Sequence, residues 1–273
     1  PALAAASLHL RNQAMLRRQA IEQALRAELE GGHCLALHYQ PLFSARDNAL
    51  VGAEALLRWT HAELGYVSPL EAISVAEDCG LIVPLGYWVL RTACRDASRW
   101  QGRHAHPLRV AVNISARQLG DPQFLEQVMD ILRAEKLPAD LLEIELTETV
   151  LMENMEAGAY TLHRLSQLGI HLAIDASGTG YPSPACLPQP PHLGRLKIAR
   201  CFVRVLPAQE HSRKIVSATL ALAHGLGLEV TAEGVETLEQ AEYLVEQGCD
   251  VLQGYAFARP MPVQQFVELQ ASH

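Results

Sequence analysis

The sequence contains no C-x-x-C pair, no H-E-x-x-H, no G-x-G-x-x-G and no apolar run of 18 residues or more. Each absence removes a class of protein. The cysteines, Cys34, Cys79, Cys94, Cys186, Cys201 and Cys249, are scattered and have no histidine at zinc-finger spacing, so reduced thiols in a cytoplasmic setting are expected. The histidines make no metalloprotease motif, and His104 and His106 beside Pro107 read as surface loop residues. With neither a signal peptide nor a long apolar run, no membrane span is expected and the segment reads as soluble. Positive charge is also scarce. A net charge of -8 and a pI near 5.8 exclude a surface that coats a nucleic-acid polymer, and a polybasic membrane anchor as well. An anionic ligand therefore needs local help, from metals or from a few placed Arg and Lys. The chain opens on Pro1 rather than Met, which reads as a piece of a longer protein.

What is present is ample apolar material, 49% of 273 residues, enough for one large α/β domain. Residues 8–30 carry Leu8, Leu16, Ile21, Leu25 and Leu29 at helical spacing and stop at Gly31-Gly32; residues 1–32 are taken as a helix leading in from an upstream domain, with the main domain over 33–273. Leu35 to Pro41 alternates like a strand that ends at its proline, and Asp47-Asn48 turns the chain into the next strand. Helices are predicted over 69–79, opened by Pro69 and closed by Gly80, and over 85–100, 122–135, 154–168, 211–226 and 237–247, with a last one closing the chain. Strands are predicted at 108–114, 141–148, 170–175, 193–198, 228–233 and 251–253. This alternation predicts a parallel sheet with crossover helices. About eight strands in one domain of this length fit a closed (β/α)8 barrel better than an open doubly wound sheet, and the missing G-x-G-x-x-G points the same way.

The stretch Val51 to Trp59 places Glu54 and Arg58 four residues apart in an apolar strand, on one face. Burial of an acid and a base costs several kcal/mol unless each has a partner, so the pair is either a structural ion pair or part of a site. Polar residues then recur at the carboxyl ends of successive strands: Asn113, Glu145 and Glu148, Asp175, Lys197, Glu233, Gln253. One such acid is usually a helix N-cap; a series is not. A parallel barrel gathers those ends on one face, where barrel enzymes carry their catalytic groups. Glu54, Asn113, Glu145, Asp175 and Glu233 offer hard oxygen donors, which select Mg2+, Mn2+ or Ca2+ over zinc or copper. Such a pocket suits a phosphate ester, with Lys197 orienting water or stabilising charge. The plainer role for Lys197 is a salt bridge to Asp175 or Glu233.

These residues resemble the EAL-domain phosphodiesterases, which linearise the second messenger cyclic di-GMP. The likeness rests on Glu54-Ala55-Leu56 with Leu57-Arg58-Trp59, and on Tyr39-Gln40-Pro41, Asn113-Ile114-Ser115, Glu145-Leu146-Thr147-Glu148, Gly178-Thr179-Gly180-Tyr181, Leu196-Lys197-Ile198, Ala232 to Thr237 and Gln253-Gly254-Tyr255. It runs from about Leu35 to Val267 and implies a modified TIM (β/α)8 barrel. By resemblance Glu54, Asn113, Glu145 and Asp175 are ligands of a first Mg2+ or Mn2+, and Glu233 is a ligand or base on the second side. Lys197 matches the lysine that contacts the nucleophilic water. Gln40, Leu57, Arg58, Glu236 and Gln253 sit where the family holds guanines and phosphates, and Glu148 matches the glutamate that tethers a mobile loop.

The family reads Asp-Asp-Phe-Gly-Thr-Gly-Tyr where Asp175 is here followed by Ala176-Ser177-Gly178, so an acid of the second metal site is missing. Its Lys-Ile-Asp is here Lys197-Ile198-Ala199. Pro182, Pro184, Pro188, Pro190 and Pro191 replace a segment that is usually a short helix. In the family that loop couples activity to dimer contacts, and here it is expected to be rebuilt; the expected partners are cyclic di-GMP, an upstream signalling domain in the same chain and a possible homodimer. The expectation is a cyclic di-GMP-binding domain with weakened or lost hydrolysis. An active phosphodiesterase giving linear pGpG is the alternative, and an interaction module without nucleotide is a third reading.

Overall fold

The computed structural model describes residues 2–104, 106–153, 157–175 and 193–270. Among these residues ten strands form one sheet: β1 Leu35–Ser44, β2 Leu50–His61, β3 Gly65–Val67, β4 Arg109–Asn113, β5 Leu142–Thr147, β6 His171–Asp175, β7 Leu193–Ile198, β8 Glu229–Ala232, β9 Val251–Leu252 and β10 Met261–Pro262. The order β1-β9-β8-β7-β6-β5-β4-β2 closes on itself because β1 also pairs with β2, and β3 and β10 are short additions at the rim. The result is a closed eight-stranded α/β barrel of TIM type with helices outside.

The expected all-parallel sheet is corrected at one strand. From β2 through β4, β5, β6, β7 and β8 to β9 every pairing is parallel, but β1 runs antiparallel to both β2 and β9. Its link to β2 is the short turn at Asp47-Asn48, with Asn48 at φ 57, far too short for a crossover helix. Nor does β1 end at Pro41. It pairs with β10 at His38 and Tyr39 and with β9 at Phe43 and Ser44, and Pro41 falls in the gap between, where no third strand needs its missing donor.

Local signals set the helix ends. Ser68 accepts a hydrogen bond from the Glu71 amide and Pro69 opens the helix Pro69–Cys79, which Gly80 closes at φ 78. Thr237 and Gln240 form a reciprocal capping box at the start of Leu238–Glu246. The barrel strands are apolar on the face that meets the helices, and Tyr39 of β1 packs there with Trp100 and Phe266, whose rings lie 4.6 Å apart. The Tyr39 hydroxyl donates to Asp96 at 2.7 Å, which satisfies the one polar atom on that buried ring. The first helix, Ala2–Leu29, lies on this shell through fully buried Ile21 and Leu25, and Arg17 and Arg18 reach Glu71 and Asp78 on helix Pro69–Cys79. No helix among the described residues is long and apolar enough to cross a membrane.

Candidate functional site

Strand alternation decides what fills the barrel. Glu54 and Leu56 face inward on β2, whereas Leu57 faces the helices and is buried in the apolar core. Register then aligns the polar ends. Gln40 pairs opposite Glu54, Asn113 beside Glu145, and Asp175 beside Lys197. Glu233 and Gln253 follow the last residues of β8 and β9.

Lys197, 1% exposed, sits at the centre. Its Nζ donates to Glu145 at 2.7 Å and Glu54 at 3.3 Å, and lies 2.6 Å from Glu233. Glu54 accepts two further hydrogen bonds, from Asn113 Nδ2 at 2.8 Å and Gln253 Nε2 at 2.7 Å. Gln253 also donates to Gln40 at 3.2 Å, and its own Oε1 is buried without a partner. The partner of Glu54 is thus Lys197 rather than Arg58, whose Nη1 donates to the Leu57 carbonyl.

One ammonium is shared by more acids than it can neutralise. Burial opposes the charge on Lys197, but Glu145, Glu233 and Glu54 outweigh it and hold the ammonium well above its ordinary range. Burial works against Glu54 too, and the Lys197 charge with the Gln253 and Asn113 hydrogen bonds keeps that carboxyl low. Glu145 is pushed well above the carboxylate range by burial and by Glu54. Burial also lifts Glu233; Lys197 opposes, Glu54 and Asp175 add to the rise, and the group lies at about 7. The site is short of positive charge. Among the described residues no three His, Cys, Asp or Glu side chains are arranged as a ready metal nest; Glu54, Glu145 and Glu233 converge on Lys197 instead.

Above the cluster lies a cavity of about 260 Å³ bounded by Gln40, Glu54, Asn113, Asp175, Glu233 and Gln253. Glu236 is at its rim. Five lining residues that sequence reasoning did not single out as contacts are Leu56, Arg200, Gly234, Gly254 and Tyr255. Alternation on β2 pointed to Leu56; nothing local marked Arg200. Gly254 allows the tight crossing at this end, since a Cβ there would lie 2.0 Å from the Val235 carbonyl oxygen. Leu57 and Arg58 do not line the cavity, and Glu148 begins the helix Glu148–Glu153. The loop it is expected to tether, with Ala176, Ser177, the Gly178-Thr179-Gly180-Tyr181 match and the five prolines, lies outside the described residues.

The cyclic di-GMP phosphodiesterase NbdA of Pseudomonas aeruginosa is 42% identical over 243 residues, 89% of this chain and 31% of NbdA. The cyclic di-GMP phosphodiesterase PdeR of Escherichia coli is 40% identical over 258 residues, 93% of this chain and 38% of PdeR. The chain thus spans about a third of the length of these curated relatives. The solved structure "PaMucR Phosphodiesterase, c-di-GMP complex" is similar with a TM-score of 0.82 at 38% identity, covering 90% of this chain and 99% of that one. The family model described as EAL domain matches residues 19–260, and the chain belongs to that family.

Proposed function

We propose that this domain binds cyclic di-GMP beside a divalent cation and hydrolyses it weakly or not at all. The observation that carries the binding is the cavity, whose acids outnumber their one buried ammonium and whose Gln253 Oε1 lacks a donor. A hard cation fits this donor set by charge and by chemistry. In this reading Glu54, Asn113, Glu145 and Asp175 hold a first Mg2+ or Mn2+, and Glu233 serves the second side. When bound, such an ion neutralises phosphoryl oxygens and activates water.

The protein's own groups do the rest. Lys197 fixes the carboxylates of Glu54, Glu145 and Glu233 against one another. Glu233, at about 7, can take a proton from water near neutral pH. Gln40, Glu236 and Gln253 offer amide and carboxylate groups to the guanines, with Leu57 packing β2 against the helices, Arg58 next beyond Glu54 and Leu56 on the inward face of β2, and Glu148 acting on the neighbouring loop. Residues 1–32 serve as the linker helix from an upstream signalling domain, and a homodimer is compatible with that arrangement.

Weak hydrolysis follows from Ala176 at the place of an acid of the second metal site. If a second ion supplies several kcal/mol, its loss slows turnover about a thousandfold, at about 1.4 kcal/mol per factor of ten. A working phosphodiesterase is the second reading, favoured by a Glu233 poised to accept a proton. Chromatography of cyclic di-GMP incubated with the domain and Mg2+, then Mn2+, separates the two. The first reading expects little or no pGpG from the natural sequence and a large gain with Ala176→Asp. Rapid turnover by the natural sequence would establish the second.

A further inference from the structure

A cyclic dinucleotide carries two phosphate charges, and a metal centre neutralises only the one beside it. In the cyclic di-GMP reading the other phosphate has to be met within a cavity rimmed by Glu233, Asp175 and Glu236. Lys197 cannot reach it, being 1% exposed beneath the acids. Arg200 is the one Lys or Arg among the described lining residues, and the undescribed segment 176–192 contains neither residue type. Two other arginines stand close without lining the cavity: Arg58 donates to the Leu57 carbonyl, and Arg259 lies 4.2 Å from the ring centroid of Tyr255, itself a lining residue.

The position of Arg200 is built rather than incidental. Ala199 and Arg200 directly follow β7, so the strand that carries Lys197 into the barrel also delivers Arg200 to its mouth. The stem crosses Gly234, where φ is +69 and an added Cβ would lie 2.2 Å from Arg200 Cγ. Any side chain at 234 would push the arginine away. Its guanidinium is then held by an ion pair to Glu236, half in solvent, with 60% of the side chain exposed.

We infer that Arg200 is a ligand contact that binds the phosphate lying away from the metal, held ready by Glu236 until ligand arrives. The inference rests on the cyclic di-GMP reading above. Guanine presents N–H donors on its pairing edge, which suit a carboxylate, while a guanidinium suits a phosphate in a two-pronged contact. Ligand entry therefore exchanges one exposed ion pair for two charge-assisted contacts: Glu236 turns to the base and Arg200 to the phosphate. Because exposed pairs contribute little, releasing it costs little.

The test is equilibrium dialysis of cyclic di-GMP against the natural chain, Arg200→Ala and Arg200→Lys in Mg2+, with the retained nucleotide identified by chromatography. Arg200→Ala is expected to weaken binding about tenfold and Arg200→Lys by less, with unchanged thermal unfolding. Raising the salt concentration should weaken the natural chain more than Arg200→Ala, since the variant has lost a charge to screen. Equal binding by all three chains would overturn this inference and leave the cyclic di-GMP reading intact. A natural chain that retains no nucleotide would overturn both.

Discussion

The two ends of the barrel interior use the same strands and reach opposite results. At the amino end Glu143 on β5 and Glu229 on β8 both meet Arg195 on β7, each at 3.0 Å. Two residues further along β5 and β7, Glu145 meets Lys197. The lower guanidinium has a fork that engages each carboxylate with a separate nitrogen, and Glu229 keeps 55% of its side chain in water. The upper ammonium, 1% exposed, is a point charge shared by Glu54, Glu145 and Glu233, none of them more than 20% exposed. Its shortage appears as raised proton affinity on Glu145 and Glu233. A cluster in which each carboxylate has its own guanidinium nitrogen and the second acid keeps its water reads as structure; one in which three acids share a single buried point charge reads as a place for a cation or a proton.

Glu54→Gln attacks the upper cluster most directly. It should lower Mg2+ affinity by more than about a hundredfold, since even groups that merely support metal ligands contribute about 10–100-fold; titration calorimetry decides it, and an unchanged affinity breaks the contrast between the two ends. Arg195→Met should destabilise the domain by about 3–5 kcal/mol in urea unfolding, because it strands the buried Glu143 carboxylate. Its effect on Mg2+ affinity should be far smaller than that of Glu54→Gln. If the two variants weaken metal binding alike, the ends are not separate.

Proton linkage sharpens the same point. Glu233 lies raised in the folded state, at about 7, so the folded domain holds more protons than the unfolded chain between the ordinary glutamate range and neutrality. Metal-free stability should therefore be greatest at the acid side of that window and fall as pH rises towards about 7, read as the midpoint of thermal unfolding. Mg2+ has to displace that proton, so its affinity should rise with pH up to about 7, by about tenfold per unit if one proton leaves. A flat profile would mean that the upper cluster carries no excess charge. The smallest effect is at the lower end: Glu229→Gln should cost under about 1 kcal/mol, since that carboxylate is more than half exposed and screened by solvent.

Much of the barrel was legible because its signals are local. Pro69 with Gly80 bounded a helix, and the strands expected at 193–198 and 170–175 form β7 Leu193–Ile198 and β6 His171–Asp175. The misreading of β1 also has a local cause. Pro41 looks like a terminator unless one knows that the strands on its far side leave a gap there, and that is a fact about chain segments more than 200 residues away. The candidate site divides in the same way. Carboxyl-end residues were visible as a series, yet Leu56 rather than Leu57 faces the cavity, which follows from strand parity once β2 is placed.

By itself the sequence determined the order of strands and helices, the oxygen-rich donor set and its poverty in cations, because these depend on residue type and short-range periodicity. Only the tertiary structure decided which acids share Lys197, that Glu54 has no use for Arg58, and that Arg200 comes to the cavity mouth across Gly234. Those outcomes depend on register and closure, which bring β2 beside both β1 and β4 and put Glu54 within reach of a lysine 143 residues later. Electrostatic energy follows distance through space, and no spacing along a chain specifies that distance until the barrel is closed.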